Sequence, residues 1–171
     1  MSARFDSCLA FVLQAEGGFV QNPSDPGGAT NLGITLATLS QWLGEQATVD
    51  SVKALTPQTV APIYAKLYWE PMQGDNLPAG VDLMCFDAAV NMGVGTSVKF
   101  LQEAAHVSAD GVCGTATLAA VKSGNPDALI SGISSARMAY YKSRPTFPVF
   151  GNGWLARLAK VTAQALKDAA A

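Results

Sequence analysis

Apolar residues recur at helical spacing along almost the whole chain, and Gly/Pro punctuation separates the segments. This constrains the fold more than any other feature, because the period-two alternation of half-buried strands is nearly absent. A first helix is expected from about Ala3 to Glu16, since Phe5, Leu9, Val12 and Glu16 share one helical face and Gly17-Gly18 stops it. Residues Phe19 to Thr35 read as a long Gly/Pro/Asn/Asp-rich loop. A second helix is expected around Leu36–Leu43, with Trp42 in the core. Thr56 and Pro57 read as an N-cap and first helical position, opening a helix toward Trp69 that Pro71 ends. An apolar helix runs from near Val81 to Asn91. Gly93 and Gly95 break it, and another continues to about Ala105. Short helical pattern covers Gly114–Val121, and Asn125-Pro126 opens a helix to about Lys142. Pro145 and Pro148 mark a loop before a last helix from Trp154 to Lys167.

No repeat or linker interrupts the 171 residues, so a single compact domain is expected. Charged types make up only 14% of the chain, against roughly 25% in ordinary domains. A net charge of −2 argues against a general nucleic-acid binder. No apolar stretch reaches the roughly 18 residues a membrane span needs, and the N-terminus lacks the cationic start and apolar run of a classical signal peptide. The cysteines are Cys8, Cys85 and Cys113; the odd number and apolar surroundings read as reduced thiols. With His106 the only histidine, neither a Cys/His nucleophile pair nor a metal-ligand cluster is expected.

A loop as long as Phe19–Thr35 inside a compact domain calls for a function. Glu16 stands at its entrance, on an apolar helical face and at a helix C-terminus. Both placements disfavour an ionised carboxylate. A carboxylic acid that keeps its proton near neutral pH is what glycosidic cleavage asks of its general acid. Asp25 sits in Asp-Pro-Gly-Gly, which is ordinary turn chemistry but also places a second carboxylate across the loop. Thr30 and Asn31 offer hydrogen bonds to a water or a sugar. Tyr64, Tyr68 and Trp69 fall at helical spacing; such aromatics serve a core or a sugar-stacking wall, and Tyr68-Trp69 is the first choice for a wall. Asp87 and Asn91 are four apart on one helix, either as a buried pair or with Asn91 reaching a cleft. Arg157 beside Trp154 reads as an ion pair or cation–π contact.

Glu16-Gly17-Gly18-Phe19, Asn22-Pro23-x-Asp25-Pro26-Gly27-Gly28-x-Thr30-Asn31-x-Gly33-Ile34-Thr35 is an ordered block that resembles glycoside hydrolase family 108. These are lysozyme-like N-acetylmuramidases of phages and Gram-negative bacteria. Further on, Phe86-Asp87-Ala88-Ala89-Val90-Asn91-x-Gly93, Leu101-Gln102, Asp110-Gly111-x-x-Gly114-x-x-Thr117 and Gly153-Trp154-x-x-Arg157 resemble the accompanying peptidoglycan-binding region. The resemblance implies a mainly α, lysozyme-like fold with a long Gly/Pro-rich active-site loop and at most a small β element. Residues 1–90 correspond to the catalytic region and 91–171 to the binding region, packed on it as one unit.

It also implies cleavage of the β-1,4 bond between N-acetylmuramic acid and N-acetylglucosamine. Glu16 matches the catalytic Glu; Asp25 and Thr30 match the Asp and Thr that phage-type lysozymes carry shortly after theirs. Asn31, Tyr68, Trp69 and Asn91 are the candidate substrate-binding residues. No cofactor or metal is implied. The partners are peptidoglycan glycan strands, with a holin or dedicated export system bringing a cytoplasmically made monomer to the wall. Two other readings remain: a lytic transglycosylase working through Glu16, and a non-catalytic peptidoglycan-binding or secretion accessory protein.

Overall fold

The computed structural model describes residues 2–21 and 28–171. The chain divides into two compact units, Ala3–Leu67 and Tyr68–Ala171.

The first unit holds helix α1 (Ala3–Leu13), strands β1 (Val20–Gln21), β2 (Ala29–Asn31) and β3 (Ile34–Thr35), and helices α2 (Leu36–Leu43), α3 (Val49–Lys53) and α4 (Pro57–Tyr64). The strands form an antiparallel sheet in chain order, with Val20 opposite Thr30 and Thr30 opposite Thr35. The stretch read as loop thus contains this small sheet. Its strands are too short for alternation to register as a pattern.

Three threonines start the helices that follow. Thr35, Thr48 and Thr56 each accept the N–H three residues on, and Ser51 and Thr59 return the bond in reciprocal caps. Such caps satisfy the free N–H groups at a helix start, each worth about 1 kcal/mol. Pro57 occupies the first turn of α4, where its missing N–H costs nothing. The chain then widens into a π-helical turn over Ala65–Trp69. Trp42 is 41% exposed, so its expected core place is corrected: α2 buries only Leu39.

The second unit holds α5 (Val81–Met92), α6 (Val94–Ala104), α7 (Thr115–Ser123), α8 (Pro126–Lys142) and α9 (Phe147–Ala169). Every residue of α5 from Val81 to Ala89 is buried. A helix buried all round belongs at the centre of a bundle, and α6, α8 and α9 pack on it. Gly95 lies inside α6 rather than breaking it, and only Gly93, with φ +84, divides the two helices. α9 begins seven residues before the expected Trp154. Pro148 sits in its first turn, where proline is tolerated, and Gly151 leaves room for the Phe147 ring. All three cysteines are free and buried.

Asp110-Gly111-x-x-Gly114-x-x-Thr117 is held by the buried Gln102. The Gln102 amide nitrogen donates to Asp110 Oδ1 (2.7 Å), Thr117 Oγ1 (3.0 Å) and the Val112 carbonyl (3.1 Å). Its oxygen accepts the Gly111 N–H at 2.8 Å. This motif is therefore a hydrogen-bonded clamp between α6 and the loop before α7.

Candidate active site

Helix α1 stops before Glu16. The N–H groups of Gln14 and Ala15 donate back only three residues, to Phe11 (3.2 Å) and Val12 (3.0 Å), and this tightened turn redirects the chain. Phe5, Leu9 and Val12 form the buried face as expected, but Glu16 is not on it: it stands beyond the helix end, half-buried. The turn carries its carboxylate to the tip of the β2–β3 hairpin. A Cβ on Gly33 would lie 3.1 Å from Glu16 Oε2 and would overlap the Tyr64 hydroxyl oxygen. The carboxylate and the phenol oxygen converge on this glycine.

The hairpin tip itself is under strain. Asn31 and Ile34 pair across a two-residue turn whose members, Leu32 and Gly33, have φ of 48° and 74°. Two left-handed residues make a type I′ turn, which matches the twist of the flanking strands. Glycine adopts that conformation freely; leucine does so at a cost of roughly 1–2 kcal/mol. Both backbone polar groups of Leu32 are tied down. Its N–H donates to the Gly17 carbonyl (3.2 Å), and its carbonyl accepts the Tyr64 hydroxyl (2.9 Å). Strain of this kind persists where surrounding contacts over-determine it, and it gathers at functional sites.

Asn31 anchors the same hairpin from below. It is buried, and its amide nitrogen donates to the carbonyls of Val52 (3.1 Å), Lys53 (3.2 Å) and Leu55 (3.4 Å) at the end of α3. The Val52 carbonyl also accepts the Leu55 N–H at 3.2 Å, and the Asn31 amide adds to this turn, so it is committed to structure. Thr30 lies in the central strand, half-buried, between Val20 and Thr35. Asp25 lies outside the described residues.

The remaining candidates belong to the second unit. Trp69 is a core residue rather than a wall: its ring meets Phe86 edge-on at 5.4 Å and covers Gly74, where no side chain would fit. Tyr68 stays half-exposed. Asn91 is exposed at the end of α5 and donates to the Asp87 carbonyl at 2.6 Å. The Asp87 carboxylate is buried between two arginines, Arg137 Nη2 at 2.7 Å and Arg157 Nη2 at 2.9 Å. Arg157 thus makes the ion pair read from sequence, whereas Arg137 was missed.

Also missed was the convergence of Leu32, Gly33 and Tyr64 on Glu16. Asn-Leu-Gly between short apolar runs is a weak hairpin signal, and Tyr64 was visible only as one of three spaced aromatics.

Residues 9–93 match the family described as Glycosyl hydrolase 108, and residues 96–159 match the Predicted Peptidoglycan domain. Among solved structures, SagA of Brucella abortus is similar over 96% of this chain and 95% of its own, with 45% identity and a TM-score of 0.85. No match was found among curated proteins. The chain belongs to glycosyl hydrolase family 108. It has the mainly α, lysozyme-like fold expected for such a protein, and family and domain together make it a glycoside hydrolase that acts on peptidoglycan at the cell wall.

Proposed function

We propose that the protein is an N-acetylmuramidase that hydrolyses the β-1,4 bond between N-acetylmuramic acid and N-acetylglucosamine. The observation that carries this reading is the seating of the Glu16 carboxylate against Gly33 at the tip of the tethered hairpin. A general acid must be held to within a fraction of an ångström of the bond it protonates. Here the tethers on Leu32 hold the hairpin tip that the carboxyl adjoins, and the missing side chain at Gly33 leaves a glycine-walled approach to it.

Glu16 transfers its proton to the glycosidic oxygen as the bond to the muramic acid anomeric carbon breaks. Positive charge develops on that sugar, and water adds there, returning a proton to a carboxylate. Asp25 and Thr30 are the residues we assign to stabilising that charge and holding the water. Tyr68 is the polar contact we assign to the glycan, and Asn91 a contact to the muropeptide away from the scissile bond. The enzyme works as a monomer. Its substrate lies beyond the inner membrane, which it reaches through a holin or an export system.

The test compares wild type with Glu16→Gln on purified Gram-negative sacculi, with mass analysis of the soluble products. Glutamine keeps the shape but has no proton to give. Hydrated, reducing muropeptides from wild type and none from a folded Glu16→Gln are the expected result. Anhydro products would make the enzyme a lytic transglycosylase. Undiminished activity in Glu16→Gln would remove Glu16 from the chemistry.

A further inference from the structure

A second concave site lies entirely within the unit Tyr68–Ala171. A pocket of about 230 Å³ opens among the ends of α5 and α8 and the start of α9. Tyr140, Tyr141 and Trp154 supply aromatic walls; Arg144, Thr146 and Asn91 supply hydrogen-bond donors. No acidic side chain lines it among the described residues.

The walls are held from behind. Arg137, wholly buried, donates through Nη2 to both Asp87 Oδ2 (2.7 Å) and the Tyr141 hydroxyl (3.0 Å). Asn91 hangs from the backbone carbonyl of the same Asp87 at 2.6 Å. Buried ion pairs add little stability over apolar residues of the same volume, and this one leaves Arg137 Nε and Nη1 without hydrogen-bond partners. What the network does achieve is a fixed position for two walls of the pocket, Tyr141 and Asn91. On the other side, Trp154 lies 5.3 Å from Tyr141 and stacks at 6.0 Å on Phe150, itself 54% exposed. Gly151, in the second turn of α9, leaves room for the Phe147 ring, 6.5 Å from Trp154.

The donor set indicates the ligand. Arg144 lies over the Tyr140 ring, its Cζ 4.3 Å from the centroid, and directs Nε and Nη2 to Ser143 Oγ at 3.3 and 3.0 Å. Its Nη1 has no partner among the described residues and is free to meet a ligand. A cation with amide and hydroxyl donors and no carboxylate beside it suits an anion, and a guanidinium suits a carboxylate above all. The Asn91, Thr146 and tyrosine oxygens would serve a sugar as well, and it is the unopposed Arg144 charge that selects an anion. In peptidoglycan the glycan is neutral where the lactyl group carries a peptide, and the free carboxylates belong to the stem peptide.

We infer that this pocket binds a stem-peptide carboxylate of peptidoglycan, with Arg144 as its counter-charge and Trp154 as the apolar wall beneath the rest of the muropeptide. The inference rests on the peptidoglycan reading above. It gives the second unit a peptide-reading site in addition to the glycan-cleaving one.

The test titrates the full chain by calorimetry with three soluble probes. These are the disaccharide-tetrapeptide, the same molecule with its carboxylates methyl-esterified, and a neutral N-acetylglucosamine oligomer. Wild type should bind the acid form, and its Kd should rise with salt. Arg144→Gln should bind it roughly tenfold more weakly, and the ester should bind wild type no better than the acid binds Arg144→Gln. Oligomer affinity should be the same for both chains.

Equal binding of the acid form by both chains, or an equal loss for the oligomer, overturns the inference. So does a wild type that does not bind the acid form. Arg144 is exposed, so the substitution leaves the fold intact, which a matched thermal midpoint checks. Sacculus hydrolysis with Arg144-independent binding sinks this inference alone. Arg144-dependent binding without hydrolysis sinks the muramidase reading and leaves the pocket standing.

Discussion

The Tyr64 hydroxyl donates to the Leu32 carbonyl at 2.9 Å, so a buried phenol on α4 holds a leucine in left-handed backbone at the tip of the β2–β3 hairpin. The same oxygen sits where a side chain on Gly33 would go, beside Glu16 Oε2. One residue therefore fixes the strained turn and fills the space next to the carboxylate. Tyr64→Phe removes the bond and keeps the ring. The expected cost is about 1 kcal/mol, or roughly 2–4 °C in Tm for a chain of this size. Turnover on sacculi should fall severalfold while KM changes little, because the loosened tip no longer confines the carboxylate. Unchanged turnover would show that the tether serves folding alone.

Gly33→Ala tests the same corner from the other side. Its φ of 74° costs a residue with a Cβ about 1–2 kcal/mol. The new methyl must also displace the Tyr64 hydroxyl or the Glu16 carboxylate. Turnover is expected to drop more than tenfold in a chain that still melts cooperatively. A fully active Gly33→Ala would mean the carboxylate has other productive positions.

Asp87 is the hub of the second unit. Removing it leaves two guanidinium groups without their acid, one of them fully buried. Breaking a buried pair from one side costs about 3–5 kcal/mol, so Asp87→Ala should lower Tm by roughly 6–20 °C. The double change Asp87→Leu, Arg137→Met should recover part of that, because it removes the uncompensated charge as well. If the double variant is less stable than Asp87→Ala, the network is worth more than its burial suggests.

Asp110 gives a prediction in pH. The Val112 N–H and then the Gln102 amide donate to its carboxylate, at 2.8 and 2.7 Å, and hold its carboxyl below the usual carboxylate range. The unfolded chain therefore binds this proton more readily than the folded one. The stabilisation is fully present above the ordinary carboxylate pKa and is lost as pH falls through the depressed folded value. Hydrogen-exchange protection of the Val112 amide should fall in acid below about pH 4. In Asp110→Asn it should not vary across that window. Equal pH dependence in both chains would assign the acid response to another group.

Much of this fold was legible because its helix ends are chemical. Thr56-Pro57 and Asn125-Pro126 mark starts that the sequence states in the residues themselves, and α4 and α8 begin at them. The start of α9 was not legible, because Gly151 and Pro148 read as breakers until Phe147 is seen packed on the glycine. The site divides in the same way. Glu16 is legible as an acid at the loop's entrance, but not on the helical face its spacing predicts, because the helix ends at Leu13. Its actual neighbours lie on other elements, at Gly33 and Tyr64. Arg137 sits fifty residues from Asp87 in sequence, and local pattern holds no record of such a partner.

The last prediction concerns where the chain can be cut. The family's catalytic match ends at residue 93 and so takes in α5, yet α5 belongs to the second unit, whose boundary falls at Tyr68. Val81 to Ala89 are all buried there, under α6, α8 and α9. A fragment ending at residue 93 strips α6, α8 and α9 from that helix and strands the Asp87 carboxylate without Arg137 and Arg157. Burial of apolar surface contributes about 25 cal/mol per Å², and losing it around a helix this apolar exceeds what a small unit can spare. Residues 1–93 should therefore be insoluble or molten, with exposed apolar surface detected by dye binding. The full chain, which we propose folds as a single domain, should melt in one calorimetric transition. A soluble, cooperatively melting 1–93 fragment, or two resolved transitions in the full chain, would instead establish the catalytic region as independent.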